Sequence, residues 1–241
     1  MKKRISILAM ILLLMAGGPV LAADATLAVD FNSAYVWRGI TFNDGAVAQP
    51  SLDVTSGGFG INIWANYDID DYDDTLDDRE FSEVDLTMSY GFSLDPVEIG
   101  IGYIEYLFPA GGAGTREAYL SLGVPIAGGL SFGAAAYYDF DEVEGLYGNV
   151  SLTYGADLSD SLGMEISAAA GYADEDFAEA YGGTDGGLFD LSCSLSLSYA
   201  LNDALSLGAG ITYVDTLDDD VLLEDLVDSD VYGGISVAYA F

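Results

Sequence analysis

Forty Asp and Glu residues stand against six Lys and Arg, with no histidine and a lone cysteine, so any chemistry this chain performs must rest on carboxylates. Carboxylates can cleave glycosides in pairs, hold hard cations or bias which ions pass a narrow opening. Chance pairs are abundant at this density of acids, so none stands out as a glycosidase dyad. The absence of histidine removes Ser–His hydrolase and His-dependent protease mechanisms. With one cysteine, it also removes the usual tetrahedral zinc sites. Gly57-Gly58, Gly111-Gly112 and Gly182-Gly183 fall where turns or loops are expected and precede no helix, which makes them bends rather than phosphate cradles. No catalytic residue and no cofactor is expected, and the chain reads as a non-enzyme.

The elements that must position these acids are legible at the two ends. The final stretch, Val231 to Phe241, puts Val231, Ile235, Val237, Tyr239 and Phe241 on one face of a strand and Tyr232, Gly234, Ser236, Ala238 and Ala240 on the other. A strand with one apolar and one small or polar face, closing on an aromatic, resembles the terminal signature of outer-membrane β-barrels that their assembly machinery recognises. At the other end, Lys2-Lys3-Arg4 precedes an apolar run from Ile5 to Met15 and then Val20-Leu21-Ala22, the pattern of a cleaved signal peptide over residues 1–22. No downstream run approaches the roughly 18 apolar residues of a spanning helix. Residues 23–241 are therefore expected to be one all-β domain, a transmembrane antiparallel barrel in the outer membrane.

Removal of the leader would leave Arg38, Arg79 and Arg116 as the only bases against forty acids, which excludes nucleic acid as a partner. The partners expected instead are outer-membrane lipid and lipopolysaccharide, the assembly machinery through the last strand, and small solutes or cations. Mean hydropathy is nevertheless positive, at +0.31. A barrel reconciles the two by turning apolar side chains to lipid and segregating the acids.

Alternating segments separated by Gly-rich or acidic connections give twelve strands, near 26–38, 47–55, 59–68, 82–92, 97–107, 116–124, 129–140, 146–157, 162–172, 187–200, 205–215 and 231–241. The clearest is Leu191 to Tyr199, where Ser192, Ser194, Ser196 and Ser198 share a face and every odd position is apolar, Cys193 included. The connections at 56–58, 93–96, 125–128, 159–161 and 201–204 are tight. Those at 69–81, 173–186 and 216–230 are long and acidic, the asymmetry of short periplasmic turns and longer outer loops.

Parity then sorts the side chains. Asp30, Arg38, Asp53, Glu83, Asp85, Glu98, Glu165 and Asp190 are expected to line the lumen, together with Asp68, Glu117, Asp139 and Asp157. Outward aromatics fall at two levels: Tyr35, Trp37, Tyr67, Tyr103, Tyr138, Tyr172 and Tyr213 near the outer rim, and Tyr90, Tyr154, Tyr199, Tyr239 and Phe241 near the periplasmic one. Three residues fit badly. Pro50 implies a bulge in the second strand or a strand beginning after it, Glu105 has lipid-facing parity, and Ser33 interrupts an outward set.

Several segments resemble the TorF-type putative porins, a proteobacterial family of exported β-barrels without assigned role: Ser33-Ala-Tyr-Val-Trp-Arg-Gly-Ile40 followed by Asp44-Gly45 and Pro50, Gly58-Phe59 leading to Ile63-Trp64-Ala65-Asn66, and Gly102 to Pro109 followed by Glu117-Ala118-Tyr119. The resemblance implies an outer-membrane location and a pore, and transfers no functional residue. The function expected is a passive channel for small solutes, cation-preferring because carboxylates line it. The alternative is a closed structural or surface barrel whose acidic outer loops loosely bind Ca²⁺ or Mg²⁺. Asp68, Asp70, Asp73 and Asp74 lack the spacing of a helix-loop-helix calcium site, so diffuse attraction is the expectation there.

Overall fold

The computed structural model describes residues 23–70 and 79–241. The expected signal peptide and the Asp-rich centre of the first acidic loop, residues 71–78, lie outside the described residues.

Alternation becomes structure as expected. The strands are β1 (Asp24–Asn32), β2 (Tyr35–Trp37), β3 (Ile40–Asn43), β4 (Val47–Ser56), β5 (Phe59–Asp68), β6 (Phe81–Leu94), β7 (Val97–Leu107), β8 (Thr115–Ala127), β9 (Leu130–Asp139), β10 (Leu146–Ser159), β11 (Leu162–Ala173), β12 (Gly187–Ala200), β13 (Leu205–Thr216) and β14 (Val231–Ala240). All but β2 and β3, which pair only with each other, join antiparallel into one sheet, and β14 returns to β1 with Leu27 opposite Tyr239 and Val29 opposite Val237. The result is a closed twelve-stranded barrel. Closure leaves no unpaired strand edge among these twelve, the condition for spanning a bilayer with strands.

The outward face is apolar and bare. Phe59 is 66% exposed, Ile235 62% and Ile211 52%, values that water would not tolerate over a continuous belt but lipid would. The serine-rich strand turns Ser194, Ser196 and Ser198 inward, opposite Ser167, Glu165 and Gly163 of β11. One end of the barrel carries tight turns. Gly57 and Gly58, and Gly128 and Gly129, all have positive φ, and a Cβ on Gly129 would strike the Gly155 carbonyl.

The opposite end carries the long connections, and here the structure corrects the sequence reading. The first strand does not run to residue 38. It stops at Asn32, and residues 35–43 form a separate hairpin, β2–β3, folded into the barrel mouth. Ser33 marks the exit: its N–H donates to the Gly233 carbonyl at 3.0 Å, and its hydroxyl accepts from the Gly233 N–H at 3.1 Å. Arg38 and Gly39, both at positive φ (50° and 83°), form the two-residue turn that reverses the chain between Trp37 and Ile40. Tyr35 and Trp37 therefore leave the outer aromatic belt and point into the molecule, with Tyr35 7% exposed.

The acidic loops also do more than sit in water. Residues 173–186 contain a short helix, α1 (Glu175–Ala180), whose N-cap Asp174 accepts from the Phe177 N–H. Phe177 and Ala178 of α1, with Val221 and Leu222 of the last acidic loop, pack on Ile40 of the hairpin and on Tyr147, Ala173 and Phe189 of the wall. A small apolar core thus fills the mouth.

The other two misfits resolve without a bulge at either place. β4 runs straight through Pro50, which stays paired with Val29 of β1, while the β4–β5 ladder skips Gln49 and Pro50 and resumes in the same register at Ser51. The missing N–H faces the gap. Glu105 points outward near the loop end of β7, where the exposed Arg116 guanidinium lies 3.6 Å away and bridges on to Asp141 at 2.9 Å.

Candidate functional site

The lumen is the candidate site, and the hairpin divides it. Three polar side chains of the hairpin find partners on the inner wall. The Tyr35 hydroxyl donates to Glu83 Oε2 at 2.8 Å, and Asn43 Nδ2 donates to Asp68 Oδ1 at 2.7 Å. Arg38, at the tip, reaches the far wall and gives two hydrogen bonds to Glu117 of β8, at 2.7 and 2.6 Å. Its guanidinium carbon lies 4.1 Å from the Trp37 ring centroid and 4.5 Å from those of Tyr137 and Tyr147. Burial lowers the Arg38 pKa, but the hydrogen bond and charge of Glu117 outweigh it and hold the group above its ordinary value. Tyr35 is pushed well above the usual phenol range by burial, then by the charge and hydrogen bond of Glu83.

Gly39 has two reasons to be glycine: its φ of 83°, and the Asp190 and Leu222 side chains that a Cβ would meet. The Tyr147 hydroxyl donates to Asp190 Oδ1 at 2.8 Å, and the Tyr106 hydroxyl to Glu117 Oε2 at 2.9 Å. A chain of amides, Asn32 to Gln49 to Asn66 to Asp68, ties β1, β4 and β5 together beside the hairpin. The mouth is therefore an ordered hydrogen-bonded layer.

The acids of the expected lining separate into two groups in the structure. Glu83, Asp85 and Asp190, with Asp68, Glu117 and Asp139, gather around the hairpin. Of these, Asp68, Glu117 and Asp139 are 2% exposed or less. Arg38 joins them from the hairpin rather than from a barrel strand. Of the remainder, three lie towards the turn end, where Asp53 accepts from Asn62 Nδ2 at 2.8 Å, Glu98 borders a cavity with Ser93, Ser121 and Gly123, and Glu165 stands opposite Gly155 and Ser196; Asp30, opposite Gln49 near the end of β1, borders a cavity with Ser196 and Ser236. Asp190 faces in beside Phe189 because a bulge opposite Gly171 turns two successive side chains to the interior.

Apart from Tyr35 and Trp37, the aromatics of the two expected levels are placed as follows. Tyr67 (against Phe81), Tyr103, Tyr138, Tyr172 and Tyr213 are on the outer face towards the loop end; Tyr90, Tyr154, Tyr199, Tyr239 and Phe241 are on it towards the turn end. The sequence reading missed the inward aromatics Trp64, Tyr106, Tyr137 and Tyr147. Each shares the parity of a predicted lumenal acid on its own or a neighbouring strand, which was a usable signal.

Below the hairpin the lumen opens into cavities. One of about 350 Å³ is lined by Trp37, Arg38, Trp64, Asp85, Tyr106, Tyr137 and Tyr147, and another of about 360 Å³ by Tyr35, Trp37, Gln49, Trp64, Asp85 and Tyr232. Such an interior can admit small polar or cationic molecules.

No family model matches the chain, and no curated protein is significantly similar to it. Solved structures with the same fold are found readily. A KdgM porin superposes with a TM-score of 0.58 at 14% identity, covering 90% of this chain and 99% of that one, and the same porin has been solved in complex with disordered oligogalacturonate. A NanC porin gives 0.53 at 13% identity over 90% and 98%. The COG4313 outer membrane channel from Pseudomonas putida F1 gives 0.54 at 8% identity over 93% and 97%. The chain has the fold of outer-membrane porins and channels.

Proposed function

We propose that the chain is an outer-membrane channel through which small solutes diffuse, with a preference for cations and with the inserted hairpin as its narrowest part. The observation that carries this reading is the imbalance of charge inside the barrel: among the described residues, Arg38 is the one base facing the lumen, and both of its hydrogen bonds go to Glu117. The remaining inward carboxylates are left to attract cations and repel anions. In the membrane the long loops face outward and the tight turns face the periplasm, after export directed by residues 1–22. The fold similarity to porins and the TorF-type motifs agree with this. An acidic sugar such as the oligogalacturonate of the KdgM complex does not suit so acidic a lumen.

Planar-bilayer recording of the purified protein under a KCl gradient tests the proposal. Conductance steps with a cation-sign reversal potential are expected, and an anion-sign potential would remove the selectivity. Silence at high protein dose would favour the closed barrel, a reading that the packed mouth makes concrete. The acidic loops bridge to lipopolysaccharide through divalent cations in this proposal, and calorimetry showing no Ca²⁺ or Mg²⁺ uptake would remove that part.

A further inference from the structure

Three adjacent strands place Trp64, Asp85 and Tyr106 side by side on the inner wall, Trp64 opposite Asp85 across β5–β6 and Asp85 opposite Tyr106 across β6–β7. The hairpin closes over this row. Tyr35 lies 5.4 Å from Trp64 and Trp37 lies 6.1 Å from Tyr106, ring centre to ring centre. The two cavities beneath the hairpin, of about 350 and 360 Å³, share three lining residues, Trp37, Trp64 and Asp85, so this carboxylate is a wall common to both. Asp85 Oδ1 has no hydrogen-bond partner, and the one lumenal arginine is engaged by Glu117.

We propose that Asp85, flanked by Trp37, Trp64 and Tyr106, is a binding subsite for small organic cations of the alkylammonium class. The proposal rests on the channel reading and names the solute class it serves. An inorganic cation is best held by several oxygens in a polar cage; here Asp85 has Glu83 as its carboxyl neighbour, Glu83 is already engaged by the Tyr35 hydroxyl, and the flanking Trp37, Trp64 and Tyr106 are aromatic, so Asp85 Oδ1 is the oxygen left open. An organic ammonium uses both: its charge meets the carboxylate, and its alkyl surface lies on the rings by cation–π attraction. The same lumen already houses an organic cation in this manner, since the Arg38 guanidinium rests against Trp37, Tyr137 and Tyr147 while paired with Glu117. Neutral sugars can stack on the rings and donate hydroxyls to the carboxylate but bring no charge to it, and anions are repelled. The cavity volumes lie within the usual range of small-ligand sites, roughly 300–1,000 Å³.

Trp37 and Trp64 are the only two tryptophans in the chain, so emission excited at the red edge, where its seventeen tyrosines do not absorb, reports this site. The full chain in detergent is titrated with choline and, separately, with 3,3-dimethyl-1-butanol, in which a neutral carbon replaces the quaternary nitrogen. A saturable change with choline and none with the neutral isostere is expected. Asp85→Asn should raise the half-saturating choline concentration about tenfold or more, while Asp53→Asn, towards the turn end, should not. Equal responses to the two probes, or no response to choline, would overturn the subsite, and that comparison needs no variant to fold. Failure of the channel reading shows separately: a bilayer silent in KCl beside saturable choline binding removes the channel and supports the subsite. KCl conductance without a choline response removes the subsite alone.

Discussion

The two halves of the barrel are woven from the same alternating strands but use their inward positions in opposite ways. Towards the turn end the wall is small, with Gly100, Ser121, Gly133, Ser151, Gly208 and Ser236 on paired strands, and its acids stand apart from one another. Towards the loop end the inward residues are Trp64, Tyr106, Tyr137 and Tyr147, interleaved with buried acids and covered by the hairpin. Twelve strands lie between the eight that side chains can fill and the sixteen or so that leave a water channel. At that size the inward side chains decide locally whether the bore is open. In the channel proposed above, one half is the vestibule and the other the constriction, and only in the second are charges desolvated enough to discriminate strongly.

The comparison breaks most directly if the hairpin is removed. Replacing residues 34–43 with a short Gly-Ser link should raise single-channel conductance severalfold, because among the described residues nothing comparable crosses the lumen in the turn half. Unchanged conductance would put the bottleneck elsewhere. A more local version is Arg38→Met, which leaves Glu117 buried and unpaired. The expected penalty is about 3–5 kcal/mol, the cost of orphaning a buried charge. It should appear as faster hydrogen exchange in residues 33–46, while β12 to β14 stay protected. The double variant Arg38→Met with Glu117→Leu should recover most of the loss, since the pair itself contributes little net stability.

How far the sequence carried this picture depends on what kind of constraint acted at each place. Period-two alternation is a strong local signal, and the eleven strands after the first were placed within a few residues by it, as was the serine face of β12. The hairpin escaped because Tyr35, Val36 and Trp37 continue the alternation of β1; a period cannot say whether the chain stays in the sheet or leaves it. The sign that it leaves is Arg38-Gly39, a two-residue turn between β-forming triplets, which was legible but reads as a strand end when the next segment is also extended. Tyr35 and Trp37 were assigned to the wrong surface for the same reason. Helix α1 and the burial of Val221 and Leu222 were not legible at all, since their apolar side chains meet partners from distant segments and carry no period of their own. At Pro50, the lost donor was foreseen but not that a ladder on the other side would keep the strand straight.

The sharpest remaining test sets one half against the other by charge. Glu83→Gln with Asp85→Asn removes charge in the constriction, and the reversal potential in a KCl gradient should fall well towards zero and stay reduced across salt concentrations, because buried charges are little screened. Asp53→Asn with Glu98→Gln removes the same formal charge from the vestibule. There the carboxylates face a wider aqueous space, and at 0.1 M salt their influence reaches only about 10 Å. The expected shift is smaller, detectable at low salt and gone near 1 M, where screening shortens that reach to about 3 Å. If the vestibule pair instead moved the reversal potential as much as the constriction pair at every salt concentration, the inner surface would act as one uniform charged tube. The hairpin would then be a structural plug beside the path rather than its narrowest point.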